Sequence, residues 1–220
     1  MFLFNLVAAV LAVTLPAPSA SPGVPKTIIT VKSSPYCNSL GTHFNDALVP
    51  MLANDRTFAG VSVQLDDLNQ VFLDPGPNYQ QEYLHVRDMI GKQEQVVNNS
   101  LTEIQTEITA LRQGSALTTD PEAAAEVHLA AQDLQTAYDH QRQLAIDLQE
   151  LHRFMISYPL SRVRPAMGGF NPQDMSAPEA ERNIKTYLHF EPQRDIISTN
   201  EGRAADVAIA TAEKYCAAQQ

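Results

Sequence analysis

Glu82 and His85 are the residues in this chain whose types and spacing come nearest to metal chemistry. A Glu-x-x-His spacing places a carboxylate and an imidazole on neighbouring turns of one helix. A di-iron centre in a helical bundle needs two such motifs and two further carboxylates. The chain supplies one motif. His128, His140 and His152 recur every twelve residues. Twelve positions rotate a helix by about 120°, so the three rings point in different directions and cannot share an ion. Glu82 and His85 therefore read as flanking surface residues, and no metal or cofactor is expected.

Ser39 and His43 stand four apart on a helical pattern and could touch. Nucleophilic catalysis also needs an orienting acid and an exposed nucleophile turn, and neither is recognisable. No catalytic residue is assigned. Asn98-Asn99-Ser100 matches a glycosylation sequon in mid-helix and is read as coincidence.

Cys37 and Cys216 are the two cysteines, one near each end of the chain once a leader is removed. In an oxidising compartment such a pair predicts a disulfide clasping the first helix to the last. Chain-entropy reasoning puts the closing of so long a loop at about 5 kcal/mol. The spacing gives neither a zinc site nor a redox Cys-x-x-Cys. A further candidate is the Pro- and Gly-rich stretch 159–177, which carries Arg162, Arg164, Met167 and Phe170. Arginine with apolar anchors suits a partner-binding loop. Met167 and Phe170 would equally serve to pin that loop onto a bundle.

These residues need helices to position them. Tyr79, Tyr83, Val86, Ile90, Gln93, Val97, Leu101, Ile104, Ile108 and Leu111 recur at intervals of three and four. Val127, Ala130, Leu134, Ala137, Gln141, Leu144, Leu148, Leu151 and Met155 repeat the pattern without a slip. Both are helical stripes, the second a heptad seam. Gly114 suits a left-handed helix end. Asp120-Pro121-Glu122 suits the start of the next helix. The two arms therefore predict an antiparallel hairpin over 78–158. Folding about Ala116 pairs Tyr83 with Leu151 and sets Gln93 opposite Gln141. A facing amide pair there would penalise slipped registers. Tyr138, Ala145, Ile146 and Phe154 lie beside the seam, available to further helices or to a second copy in a homodimer.

Before the hairpin, Leu40, Phe44, Leu48 and Met51 form one apolar face that Pro50 should interrupt. Val61, Leu65, Leu68 and Phe72 form another. After it, Pro178 starts a helix that Pro192 should end, and an Ala-rich helix follows from about Asn200. The expected fold is all-α: a long coiled-coil-like hairpin packed by shorter N-terminal (36–73) and C-terminal (178–220) helices into one domain over 21–220. An extended arm occupies 21–35.

The first twenty residues hold no charged side chain, and 2–15 is an apolar run too short for a membrane span. The stretch 1–20 reads as a secretory signal peptide, with no stable membrane span after its removal. Net charge is −10 and the predicted pI about 4.9, which argues against nucleic-acid binding. The expectation is an extracytoplasmic protein, periplasmic or secreted, that binds or scaffolds another protein, with no residue pattern that points to an enzyme. The alternative is a helical-bundle ligand or metal carrier, with or without enzymatic chemistry.

Overall fold

Four amphipathic segments each bury a stripe against neighbours, and the result is a four-helix bundle. The computed structural model describes residues 34–73, 77–157 and 177–216. Helix α1 spans Pro35–Leu73, α2 Tyr79–Gly114, α3 Pro121–Ser157 and α4 Ala177–Tyr215. A single 3-10 turn, Ser115–Leu117, follows α2. Packing runs around the bundle from α1 to α2, α3, α4 and back to α1. The signal segment, the arm up to residue 33 and the loop residues Arg162, Arg164, Met167 and Phe170 lie outside the described residues.

Both seams form the interior. From Tyr83 to Leu111 every apolar stripe residue of α2 is buried, as is the whole stripe of α3. Helix α3 also buries Ala131, Tyr138 and Ala145, one heptad apart. This second row exists because α3 has two flanking neighbours, α2 and α4, where a two-helix hairpin would need one row. Phe154 is buried beside it, while Ile146 is exposed. Tyr138 and Phe154 are thus largely covered within the chain.

The flanking helices are not shorter than the hairpin arms. Helices α1 and α4 each have 39 residues, against 36 and 37 for α2 and α3. Pro50 and Pro192 lie inside them and end neither. An interior proline removes a backbone donor and costs about 3 kcal/mol. Burial on both sides outweighs it: Ala47, Leu48 and Met51 flank Pro50, with Phe58 and Val61 beyond. Among the residues of α4 whose side chains are described, the buried apolar face is made of Ile197, Ala204, Ala205, Ala208 and Ala212, with Val207, Ile209 and Tyr215 only partly covered. Methyl side chains let α4 lie close to its neighbours.

The hairpin register differs from the expected one by about a turn. Gly114 is right-handed (φ −58°, ψ −24°), so the chain continues through the 3-10 turn and reverses at Thr118–Asp120. The Tyr83 hydroxyl accordingly donates to the Met155 carbonyl at 3.2 Å, four residues beyond Leu151. Gln93 does not face Gln141. Its Nε2 would sit 3.1 Å from a Cβ at Gly60, so it turns to α1. The reciprocal amide pair across the hairpin is Gln105–Gln135, with both bonds at 3.2 Å. Gly114 is needed for a different reason from the one expected: a Cβ there would lie 2.3 Å from Ser39 Oγ of α1.

One end of the bundle is stitched across α1, α3 and α4. Cys37 and Cys216 form a disulfide with a Cα–Cα distance of 5.7 Å. Asp120 caps α3, accepting from the Glu122 and Ala123 amides at 2.9 and 3.3 Å. The Tyr36 hydroxyl donates to the Ala123 carbonyl at 2.9 Å. Burial, then the nearby Tyr215, Asp120 and Glu126, push that phenol up to about 12, which keeps the donor protonated. Lys214 reaches Glu122 at 3.0 Å across α4 and α3.

A Cys37→Ser/Cys216→Ser double variant should keep its helical content and lose up to about 5 kcal/mol in urea unfolding. Equal stability of the two proteins would show that packing alone holds α1 to α4. Gly114→Ala should cost roughly 1–3 kcal/mol in the same measurement, because Ser39 or a helix must shift.

Candidate functional site

The bundle interior carries a polar layer to which every helix contributes. Gln141 of α3 is fully buried at its centre. Its Oε1 accepts from Asn54 Nδ2 of α1 at 3.1 Å. Its Nε2 donates to the Met51 carbonyl of α1 at 2.9 Å and to Glu201 Oε1 of α4 at 3.0 Å. Both amide protons and the carbonyl are therefore engaged. Helix α2 enters through Ser100, whose Oγ lies 2.8 Å from Asn54 Oδ1 and 2.9 Å from the Val97 carbonyl. Its one proton serves either acceptor. Asn54 and Glu201 are each 1% exposed.

Glu201 is the chemically unusual member. Burial, reinforced by the negative charge of Asp55 and opposed by the Gln141 hydrogen bond, raises its carboxyl from the ordinary 4.5 to about 8. It is therefore neutral at pH 7. Asp55 lies beside Arg194 of α4, whose Nε is 3.6 Å from its Oδ1. A neutral carboxyl can give or accept a proton near pH 8, but here Asn54, Gln141 and Glu201 are buried against one another and act as a lock between helices. Two residues along α4, Arg203 bonds both Asp133 of α3 and Asn200, each at 2.6 Å.

The residues singled out for metal chemistry do not converge. Glu82 and His85 are exposed on α2. Among the described residues no group of three or more His, Cys, Asp or Glu is arranged to hold a metal ion. The three histidines at twelve-residue spacing take three different partners. His128 Nε2 meets Ser115 Oγ at 3.0 Å, His140 meets Gln193, and His152 Nδ1 meets Glu94 at 2.6 Å. Each ring bridges two elements. Gly91 makes room for one of them, since a Cβ there would lie 2.5 Å from the His152 ring.

His43 has an acid partner that the sequence did not reveal: its Nδ1 lies 2.7 Å from Glu107 Oε2 of α2. This gives two members of a Ser–His–acid arrangement. The third fails. Ser39 Oγ packs on Gly114, and no hydrogen bond joins it to His43. Ser39 is also the fifth residue of α1, where its own backbone amide falls within the helical hydrogen-bond ladder. His43–Glu107 and His152–Glu94 act as interhelical ties. An open cleft of about 460 Å³ near the end of α3 is lined by Glu150, Arg153, Phe154 and Ser157.

The sequence marked Gln141 as a polar break in an apolar stripe. Asn54 and Glu201 carry no such mark, because neither interrupts an apolar stripe that the sequence shows. The overlooked signal was their position: both fall on the buried face once α1 and α4 run unbroken.

The raised carboxyl has a signed consequence. Below about pH 4.5 Glu201 is protonated folded or unfolded and its burial costs nothing in charge. Between about 4.5 and 8 only the unfolded chain ionises, so stability falls as pH rises, by up to about 1.4 kcal/mol per pH unit. Above about 8 the effect is constant. Glu201→Gln should remove this slope and be more stable than the parent at pH 8, measured by urea unfolding from pH 5 to 8.5. Parallel pH curves for the two proteins would place the carboxyl in water instead. Gln141→Leu strands Asn54, Glu201 and the Met51 carbonyl together and should cost roughly 2–4 kcal/mol.

Comparisons with protein-family models, with curated proteins and with solved structures find no match to this chain.

Proposed function

We propose that this is an exported, non-enzymatic protein that binds or scaffolds another protein outside the cytoplasm. The apolar segment 2–15 and the Cys37–Cys216 bond support the address, since such a crosslink persists in oxidising compartments. No helix of the described residues is long and apolar enough to cross a membrane.

The observation that carries the binding reading is the placement of branched apolar side chains on outward helix faces. Val49 and Val63 of α1, Val96 of α2 and Ile156 of α3 are all more than half exposed. Val49 and Val63 share the outer stripe of α1 with Thr42, Asp46 and Arg56. Helices of 36–39 residues are roughly 55 Å long at 1.5 Å per residue. A bundle of that length, crosslinked at one end, offers long and rigid faces. Rigidity lowers the entropic cost of association. A partner would bury these valines and isoleucine among the surrounding charges.

The test is native mass spectrometry of the protein purified unreduced from its own host, together with a Val49→Glu/Val63→Glu variant. The reading expects a complex with a second protein that the variant loses while its thermal unfolding is unchanged, since exposed substitutions shift stability by only about 0.5 kcal/mol. A metal or small molecule at unit stoichiometry would overturn it in favour of a carrier.

A further inference from the structure

The outward face of α3 carries a charge pattern that is its own complement. Counted from Ile146, Asp139 lies seven residues before and Arg153 seven after. Arg142 lies four before and Glu150 four after, and Gln143 and Gln149 lie three to either side. Offsets of three, four and seven keep these side chains on one helical face. All seven are exposed, Ile146 at 41%. Reversing the helix about Ile146 therefore sets acid on base, base on acid and amide on amide.

The bundle itself makes little use of this row. Among the described residues Asp139, Arg142, Glu150 and Arg153 form no ion pair, whereas Arg87, Arg194 and Arg203 each hold a carboxylate. Asp139 accepts a bond from the Gln135 amide at 3.1 Å, and Gln143 donates to Asp147 at 3.0 Å. The branched apolar side chain at the centre faces water. The cleft of about 460 Å³ lined by Glu150, Arg153, Phe154 and Ser157 lies at one end of the row.

We propose that this face is a self-recognition surface, through which two copies of the chain pair with their α3 helices antiparallel about a two-fold axis at Ile146. The axis sets Ile146 on its own copy at the centre. On either side Gln143 meets Gln149 of the second copy, Arg142 meets Glu150, and Asp139 meets Arg153. Each of these contacts occurs twice, as an isologous interface requires. The cleft then takes up Asp139 and Arg142 of the second copy. The register is specific because its alternatives repel: a slip of three residues one way sets Arg142 on Arg153, and three the other way sets Asp139 on Glu150. A parallel pairing sets every charge on its own copy. From Asp139 to Arg153 the row covers about 21 Å of helix at 1.5 Å per residue. One helix from each copy covers less than a permanent interface needs, so the dimer forms with rising concentration. Exposed ion pairs are screened, so it weakens with salt. The surface lies on α3 while the test of the binding reading rests on the α1 valines, so the two stand or fall separately.

The experiment is sedimentation equilibrium on the purified, disulfide-intact chain alone, from about 10 μM to about 0.5 mM at low ionic strength. The parent should pass from monomer to dimer across that range, and salt at about 0.5 M should weaken the dimer severalfold. Arg142→Glu and Glu150→Arg should each stay monomeric, because each sets two like-charge pairs on the interface. The combined Arg142→Glu/Glu150→Arg variant restores opposite charges and should dimerise as the parent does. Helical content should be the same in all four, since the positions are exposed. A parent that stays monomeric, single variants that still dimerise, or a folded combined variant that does not would each overturn the proposal. The axis has its own check. Ile146→Cys adds the one thiol outside the Cys37–Cys216 bond and should give a covalent dimer on mild oxidation. Gln132→Cys, also exposed on α3, should not, because the axis holds its two copies about 42 Å apart. Equal crosslinking of the two, or none, would overturn the two-fold.

Discussion

Helix α3 carries two apolar rows, and neither can be buried without a neighbour. The row through Ala131, Tyr138 and Ala145 continues one heptad on to His152, which bonds Glu94 of α2. The opposite flank of α3 meets α4, where Asp133 and His140 bond Arg203 and Gln193. A lone hairpin would leave that flank in water, and the need to cover it brings α4 against α3. Helix α1 then completes the bundle by packing along α2. The length of α1 and α4 follows from the same demand, because each must run beside a hairpin arm of 36 or 37 residues. Two interior prolines are tolerated as the cost of that continuity.

Apolar packing of this kind specifies poorly how far one helix slides along another, since Leu and Ala layers are alike. The polar contacts supply that information. Gln141 has partners only when α1 presents Met51 and Asn54 and α4 presents Glu201 at one level. Gln105–Gln135, His43–Glu107 and His152–Glu94 repeat the principle at other levels and between other pairs of helices. A slip of one turn would leave buried donors and acceptors unpaired, each costing about 1–3 kcal/mol. The histidines and glutamates that look like catalytic raw material in the sequence are spent on register.

This use of polar residues also separates the two ends of the molecule. Around the Thr118–Asp120 reversal, the disulfide, the Asp120 cap, Tyr36 and the Lys214–Glu122 pair tie α1, α3 and α4 together. Farther along, α4 is held by the buried Glu201–Gln141 bond and by Arg203–Asp133, Gln193–His140 and Arg194–Asp55.

The three- and four-residue periodicities of the hairpin arms were enough to establish the helical class, both buried stripes and the Asp120 cap, because these depend on local spacing and local hydrogen bonding. The two cysteines were enough to anticipate their bond, because no other thiol competes. Sequence went astray where a distant segment overrode a local preference. Pro50 and Pro192 are poor interior residues by propensity, yet packing on either side keeps α1 and α4 continuous. Gly114 is a good helix stop, yet Ser39 needs its missing side chain and the turn moves on. The identity of the buried polar layer could not be read from the chain alone: Asn54, Ser100, Gln141 and Glu201 are ordinary polar residues until four helices place them at one level. Only that tertiary placement takes Glu201 out of water and beside Asp55, and only there does its carboxyl become a group that holds its proton to about pH 8.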